Sequence, residues 1–425
     1  MNNNIVKKNY DDHIVLLNPQ KTTWISLTYE GYLSYEEIRA KGVTVFSNKY
    51  EVDPKEVEQF IDEIDNTLFP KENFRNDDTP NIAMTVFLTD SCNFKCKHCF
   101  YSCGGANNNV NISLKLNDEY KKFIKEFVLY GGKHITFTGG EPLLNRNLEQ
   151  FIKHAFENKL GIFLLTNGSL ITERLAKLLF DYNVYVQVSL DGDENAFEKI
   201  REGGKYSEVV KGIQFLKNYN VKYDISFMPS KLNIDSFHNV IDFAVENQAQ
   251  QIHLPFFEEY GSGGINSDII KLENDKFEVF LVDLVKNYFN GLRDRIKIYL
   301  FEGIIENLEN RTRKEVCSVG TKTLALYSSG DIYPCSELIL PDYKLGNIND
   351  ESIDFSKIKH NNIVDFFSKL TVDTIEKCSD CEFRYYCGGG CRVHANIGSG
   401  RFDVEDNYCS IIKLLYNNIL NQISR

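Results

Sequence analysis

The chain has 425 residues, enough for two or three domains around a large core, and its 42% hydrophobic and 25% charged residues are those of an ordinary soluble protein. A net charge of −12 speaks against a general binder of nucleic acid or of anionic membranes. No apolar run approaches a membrane span and Met1-Asn2-Asn3-Asn4 opens no signal peptide, so a cytoplasmic chain is expected, in which eleven cysteines point to metal or catalysis rather than disulfides.

Residues 1–75 read as a small independent unit. Two β-rich runs, His13–Leu17 and Thr22–Leu27, flank a turn at Asn18-Pro19-Gln20-Lys21. A helix is predicted over Tyr29–Ala40. A second starts at Asp53-Pro54, where Asp caps and Pro takes the first helical position. Val57, Phe60, Ile61 and Ile64 give it an apolar stripe at helical spacing. Phe69-Pro70 ends it, and the polar run Lys71–Pro80 is a linker.

From Asn81 to about Asn290 strand and helix alternate. Strands are predicted at Ile82–Leu88, His134–Thr138, Ile162–Thr166, Tyr185–Ser189, Tyr223–Met228 and Gln251–Leu254. Amphipathic stretches lie between them at Asp118–Val128, Leu148–Asn158, Glu173–Leu179, Ser207–Leu216 and Asp235–Val245. Such alternation implies an α/β fold with a parallel sheet and right-handed crossovers. Six units make a partial, TIM-like (β/α)6 barrel, whose chemistry belongs at the C-terminal strand ends.

The first cysteine group follows the first strand of this run, in Ser91-Cys92-Asn93-Phe94-Lys95-Cys96-Lys97-His98-Cys99-Phe100. Three thiolates at C-x3-C-x2-C on a four-iron cluster leave one iron free for a small molecule. A zinc knuckle is the alternative, although it usually needs a fourth ligand and His98 is badly placed to be one. Thr138-Gly139-Gly140-Glu141-Pro142 follows the second strand. Its paired glycines let a ligand approach the backbone, and Glu141 offers a buried carboxylate. Thr166-Asn167-Gly168 follows the third strand and Ser189-Leu190-Asp191-Gly192 the fourth. Four polar loops thus share one rim. Tyr260-Gly261-Ser262-Gly263-Gly264 reads as a flexible loop.

Residues 291–316 form a bridge, with a possible strand at Ile296–Leu300 and a helix at Ile304–Leu308. Beyond it lie Cys317, Gly330 and Cys335 (C-x12-G-x4-C), then Cys378, Cys381, Cys387 and Cys391 (C-x2-C-x5-C-x3-C), then Cys409. A pair of zinc ribbons is the alternative for seven thiols in this order.

Together the cysteine loop, the Gly-Gly-Glu-Pro turn, Thr-Asn-Gly and Ser-Leu-Asp-Gly resemble the radical S-adenosylmethionine (SAM) superfamily. The later series resembles the SPASM extension found behind such domains. Residues 1–75 are similar to the winged-helix-like precursor-recognition domain of many peptide-modifying enzymes, which takes an extended leader peptide by β-augmentation. Thr22–Leu27 and the Asp53–Leu68 helix would be its two walls. The resemblance implies a leader-binding domain at 1–75, a radical SAM partial barrel at 81–290, the bridge at 291–316, and a SPASM domain with a C-terminal helix at 317–425.

It also implies three [4Fe–4S] clusters. Cys92, Cys96 and Cys99 would hold the one that binds SAM, with Gly139, Gly140, Glu141 and Pro142 against the methionyl ammonium. Ser189 and Arg201 would lie near the SAM carboxylate, Asn167 near the ligand and His98 near the adenine. One auxiliary cluster would take Cys378, Cys381, Cys387 and Cys409. The other would take Cys317, Cys335 and Cys391, with one iron open or bound by another group. Cys103 is left as an ordinary thiol, with a mobile ligand or a thiol near the substrate as the alternative.

The family's chemistry is one-electron reduction of SAM and hydrogen abstraction by a 5′-deoxyadenosyl radical, with auxiliary clusters as electron acceptors and flavodoxin or ferredoxin as reductant. The expected enzyme installs cross-links, cysteine sulfur to carbon, in a ribosomally made precursor peptide, with carbon–carbon or carbon–oxygen bonds as the alternative. Glu258, Glu259 and Glu337 are candidate proton acceptors. An anaerobic sulfatase maturase is the competing reading. Such enzymes resemble this chain in both iron–sulfur regions but carry aspartate directly after the cysteine matching Cys335, where this chain has Ser336. They also usually lack a leader-binding unit. A leader-binding or electron-transfer protein without catalysis is the third class, and the intact Cys92/Cys96/Cys99 triad counts against it.

Overall fold

Strand-forming runs in the N-terminal region make a small antiparallel sheet, β1 (Val6–Asn9), β2 (Ile14–Asn18) and β3 (Thr23–Leu27), in that order. The computed structural model describes residues 5–70, 81–102, 112–310, 313, 315–350 and 355–425. Cys103 and the linker 71–80 lie outside the described residues.

Helices Tyr29–Lys41, Val43–Tyr50 and Pro54–Leu68 follow the small sheet. Thr28 caps the first through the Gly31 amide, and Asp53 caps the third through Lys55, with Pro54 in the first turn. The unit is not independent. Successive side chains of β2 point to opposite faces. Ile14 and Leu16 join a local core with Leu27, Tyr35, Ile64 and Leu68, while Val15 and Leu17 enter the main core. Two such buried side chains stabilise the docking by about 1.5–3 kcal/mol each. Polar contacts pin it further. Trp24 Nε1 donates to Leu308 O at 3.1 Å, Tyr386 Oη donates to Thr23 O at 3.2 Å, and the Glu382 carboxylate takes both Lys8 and Lys413.

The next strands are β4 (Ile82–Phe87), β5 (Lys95–Cys96), β6 (Gly132–Thr138), β7 (Gly161–Thr166), β8 (Tyr185–Ser189), β9 (Arg201–Glu202), β10 (Tyr223–Ser226) and β11 (Gln251–His253). The crossovers repeat one local signal. Lys159, Asn183, Asn220 and Gln248 each follow a helix with positive φ, and each precedes a buried apolar residue: Leu160, Val184, Val221 and Ala249. A left-handed residue ends the helix, and the apolar residue after it turns the chain back towards the sheet.

Six parallel strands therefore run in the order β4-β6-β7-β8-β10-β11. Their register aligns Phe87 with Thr138 and Ser189 with Ser226, so the C-terminal ends share one rim. The sheet does not stop there. The bridge supplies β12 (Lys297–Ile298), parallel to β11, before the chain turns into helix Tyr299–Asn310. On the opposite edge β13 (Thr323–Leu326) pairs parallel to β4, and β14 (Asp331–Tyr333) and β15 (Gly346–Asn347) continue antiparallel. One sheet thus joins the two cysteine-bearing regions. No described helix is long and apolar enough to cross a membrane.

Candidate functional site

Cys92, Cys96 and Cys99 lie on the loop leaving β4, and two clamps set its shape. On one side β9 pairs with β5, placing Arg201 opposite Cys96, with its guanidinium 3.6 Å from Cys96 Sγ. Buried Arg201 donates through Nε to Asp191 Oδ2 at 2.7 Å. Asp191 is itself fully buried, accepts from the Met228 amide at 2.7 Å, and lies 3.6 Å from His98 Nε2. Asp191 is not among the predicted site residues; its signal in the sequence is a carboxylate in Ser-Leu-Asp-Gly with an arginine ten residues on. Burial pushes the His98 pKa down to about 4, so the ring is neutral at pH 7.

The second clamp is Tyr260-Gly261-Ser262-Gly263-Gly264. It is no open loop: Gly261–Ile265 is helical. The Ser262 amide donates to Cys99 O at 2.9 Å and Asn266 Nδ2 to Lys97 O at 3.1 Å. Gly261 has φ +57°, and a Cβ there would stand 2.1 Å from Phe100 O. Only glycine fits that approach.

The turn after β6 docks on the same loop. The Gly140 amide donates to Thr89 O and the Glu141 amide to Ser91 O, both at 2.8 Å. A Cβ on Gly139 would meet Thr89 O at 2.3 Å and one on Gly140 would meet Ser91 O at 2.2 Å. The glycines thus make room for the backbone of the cysteine loop, and both also face the cavity at the rim. Glu141 and Pro142 lie behind the cavity rather than on it. Fully buried, the Glu141 carboxylate accepts from Thr166 Oγ1 at 2.6 Å, the Asn167 amide at 2.8 Å and the Leu143 amide at 3.1 Å. Burial pushes its pKa up to about 7, against those three hydrogen bonds.

These elements enclose a cavity of about 340 Å³ at the rim. Cys92, Cys96, His98 and Cys99 line it from the cysteine loop, and Gly139, Gly140, Asn167, Ser189 and Arg201 from the other strand ends. Glu258 and Glu337 close it from the loop after β11 and from the turn after Cys335. Glu259 turns away to Lys271 and Ser267. Burial and the Glu258 charge push the Glu337 pKa up. Behind Glu258, His394 Nε2 lies 3.1 Å from Glu258 Oε1, and its Nδ1 lies 3.3 Å from Asp406 Oδ2. Burial opposes the His394 cation, but these two carboxylates outweigh it and push its pKa up to about 10.

The later cysteines form two further groups. Cys378, Cys381, Cys387 and Cys409 line one small cavity. Cys317, Cys335 and Cys391 pack against Val316, Val319 and Leu338, in a core that Cys378 also joins. Gly388, Gly389 and Gly390 all take positive φ, the turn that carries the chain from Cys387 to Cys391. The ten described cysteines are free thiols. Burial pushes Cys96, Cys335, Cys387 and Cys391 up to about 12. Backbone amides nonetheless point at sulfur, as from Phe94 to Cys92 at 3.4 Å and from Glu337 to Cys335 at 3.5 Å. Buried thiols with amide donors suit iron–sulfur ligation, where the metal takes the thiolate and hydrogen bonds tune the cluster. Among the described residues no group of His, Cys, Asp or Glu converges on a single metal ion. A four-iron cluster, whose ligands stand at the corners of a cube, makes no such demand.

Residues 86–244 match the radical SAM superfamily, and residues 317–382 match SPASM, an iron–sulfur cluster-binding domain. The cysteine-type anaerobic sulfatase-maturating enzyme of Clostridium perfringens (strain 13) is 28% identical over 352 residues, 77% of this chain and 93% of its own. The AdoMet-dependent heme synthase of Methanosarcina barkeri (strain Fusaro) is 26% identical over 340 residues, 76% of this chain and 94% of its own. Streptococcus suis SuiB, solved with its precursor peptide SuiA, shares the fold with a TM-score of 0.60 at 16% identity, over 96% of this chain and 99% of SuiB. The chain carries a radical SAM domain and a SPASM domain, and it is an enzyme. Domains of these kinds imply iron–sulfur clusters and bound SAM.

Proposed function

We propose that this radical SAM enzyme is a peptide maturase that joins cysteine sulfur to carbon within a ribosomally made precursor. The observation that carries the reading is the N-terminal sheet: β3 is one of its two edge strands, beside helix Pro54–Leu68, on a unit anchored to the rest of the protein. An edge strand beside a helix can accept an extended leader as a further strand. The SuiB likeness, over 96% of the chain, supports the same reading.

In this reading residues 81–290 form an open (β/α)6 barrel and 317–425 the auxiliary domain, with 291–316 between them. Cys92, Cys96 and Cys99 hold the SAM-binding [4Fe–4S] cluster. Cys378, Cys381, Cys387 and Cys409 hold one auxiliary cluster, and Cys317, Cys335 and Cys391 the other. Flavodoxin or ferredoxin supplies electrons. When bound, SAM supplies a 5′-deoxyadenosyl radical that takes one hydrogen atom from a substrate carbon. Forming a thioether from a thiol and a C–H bond also releases a proton and an electron. When bound, the auxiliary clusters would supply an acceptor for the electron, and the Glu337 and Glu258 carboxyls at the cavity wall accept the proton. Asp191 holds Arg201 and His98 in place, and Phe256 and Phe257 keep water from the reacting carbon.

One observation favours a second reading, a sulfatase maturase. Ser336 stands where those enzymes carry an aspartate, yet Glu337, one residue on, reaches the cavity. Anaerobic reconstitution with SAM, reductant and a cysteine-rich precursor separates the two. About twelve irons, 5′-deoxyadenosine and a loss of about 2 Da per cross-link support the maturase, with fragmentation locating the joined residues. Oxidation of one cysteine or serine in a sulfatase peptide, with the precursor untouched, refutes it.

A further inference from the structure

Arg392 is the largest fully buried side chain among the described residues. Its guanidinium is held by backbone carbonyls alone. Nη1 donates to Phe402 O at 2.9 Å and also to Val404 O, and Nη2 donates to Gly389 O. Nε is buried with no acceptor. Among the described residues no carboxylate pairs with it, although an isolated buried charge is costly and is normally paired. Asp406, an acid in this turn, is already taken by the Cys391 amide at 2.6 Å and by the His394 ring.

The missing anion is therefore of another kind. Arg392 follows Cys391 directly and grips the carbonyl of Gly389, whose own amide faces Cys387. Gly389 also lines the cavity of Cys378, Cys381, Cys387 and Cys409, so Arg392 touches the wall of one later cysteine group and follows a member of the other in the chain. An iron–sulfur cluster held by thiolates is a net anion whose sulfurs accept hydrogen bonds. Resting on the assignment of these groups as two auxiliary clusters, we propose that Arg392 is the counter-ion they share, its free Nε–H being a hydrogen-bond donor for cluster sulfur. It is a positioning and tuning residue, not a catalytic one. Reduction adds negative charge, so a buried cation favours the reduced state and raises the potential of both clusters, easing electron transfer from the substrate radical.

The test uses the full chain with Cys92, Cys96 and Cys99 changed to Ala, reconstituted so that only auxiliary clusters remain, with their midpoint potentials read by electron paramagnetic resonance. Arg392→Met is expected to make reduction of both clusters at least about tenfold less favourable, a fall of about 59 mV for a one-electron couple. Arg392→Lys keeps the charge and is expected to stay within about twofold. Lys377→Met is the control. Lys377 also lines the cavity of Cys378 and Cys409, but it is 59% exposed and pairs with Glu405, so its loss is expected to shift neither potential by more than about twofold. Full iron in Arg392→Met with both potentials unchanged overturns the inference, and so does a shift of one cluster alone. If Arg392→Met fails to load, Arg392→Lys decides: wild-type potentials support the inference, and a tenfold shift of both overturns it. A parent protein with about four irons or fewer overturns the two-cluster assignment itself, and the inference with it.

Discussion

Replacing Glu141 by alanine is expected to free the loop after β6 from the loop after β7, and the size of the effect follows from its hydrogen bonds. Three donors, Thr166 Oγ1, the Asn167 amide and the Leu143 amide, converge on one fully buried carboxylate. Each buried donor left without a partner costs about 1–3 kcal/mol, and water entering the vacated space recovers part, so about 3 kcal/mol is expected. Glutamine keeps the volume and one oxygen, and the Thr166 hydroxyl can turn to accept from its amide, so about 1 kcal/mol is expected there. The assay is hydrogen–deuterium exchange read at the Asn167 and Leu143 amides. Through local opening, about 3 kcal/mol corresponds to exchange on the order of 100-fold faster in Glu141→Ala, and several-fold faster in Glu141→Gln. The β6 amides serve as an unchanged reference. Exchange at Asn167 within about threefold of wild type in Glu141→Ala would refute the reasoning. The pH dependence has a definite sign. Burial raises this carboxyl from 4.5 to about 7, so the folded state holds its proton more tightly than the unfolded chain. Its contribution to stability is full below 4.5 and is lost as the pH rises through about 7, a loss that Glu141→Gln abolishes.

Gly261→Ala places a methyl 2.1 Å from Phe100 O and should shift the Cys99 loop. Deoxyadenosine formation is expected to fall at least about tenfold and the SAM-site resonance signal to change, with the auxiliary clusters intact; an unaltered signal counts against the clamp. Glu337→Gln and Glu258→Gln are expected to slow cross-linking about 100-fold while SAM is still cleaved, so the ratio of deoxyadenosine to product rises. An unchanged ratio in both variants removes these carboxyls from the proton path. Changing Cys92, Cys96 and Cys99 to Ala should lower iron from about twelve to about eight per chain and abolish deoxyadenosine, and iron analysis checks it directly.

Where the chemistry is local, the sequence carried it. A cluster loop must present three thiolates within a few residues, so C-x3-C-x2-C is visible before any folding. Helix starts were legible for the same reason, since Asp53-Pro54 acts on its own first turn. The alternation that runs from Ile82 to His253 likewise announced parallel strands whose ends share a rim. Other assignments depended on what lay opposite. Tyr260–Gly264 looks like any glycine-rich loop until Phe100 is found against Gly261. Residues 1–75 look separable until Val15 and Leu17 prove to point away from their own core.

By itself, then, the sequence determined the order of elements and which residue types could bind iron, because both follow from neighbours along the chain. Only the tertiary structure decided which of three acids reach the cavity, that Asp191 ties Arg201 to His98, and that Arg392 is buried without a carboxylate. Burial and pairing are set by residues distant in sequence, and a charge acquires its meaning from what surrounds it once water is gone.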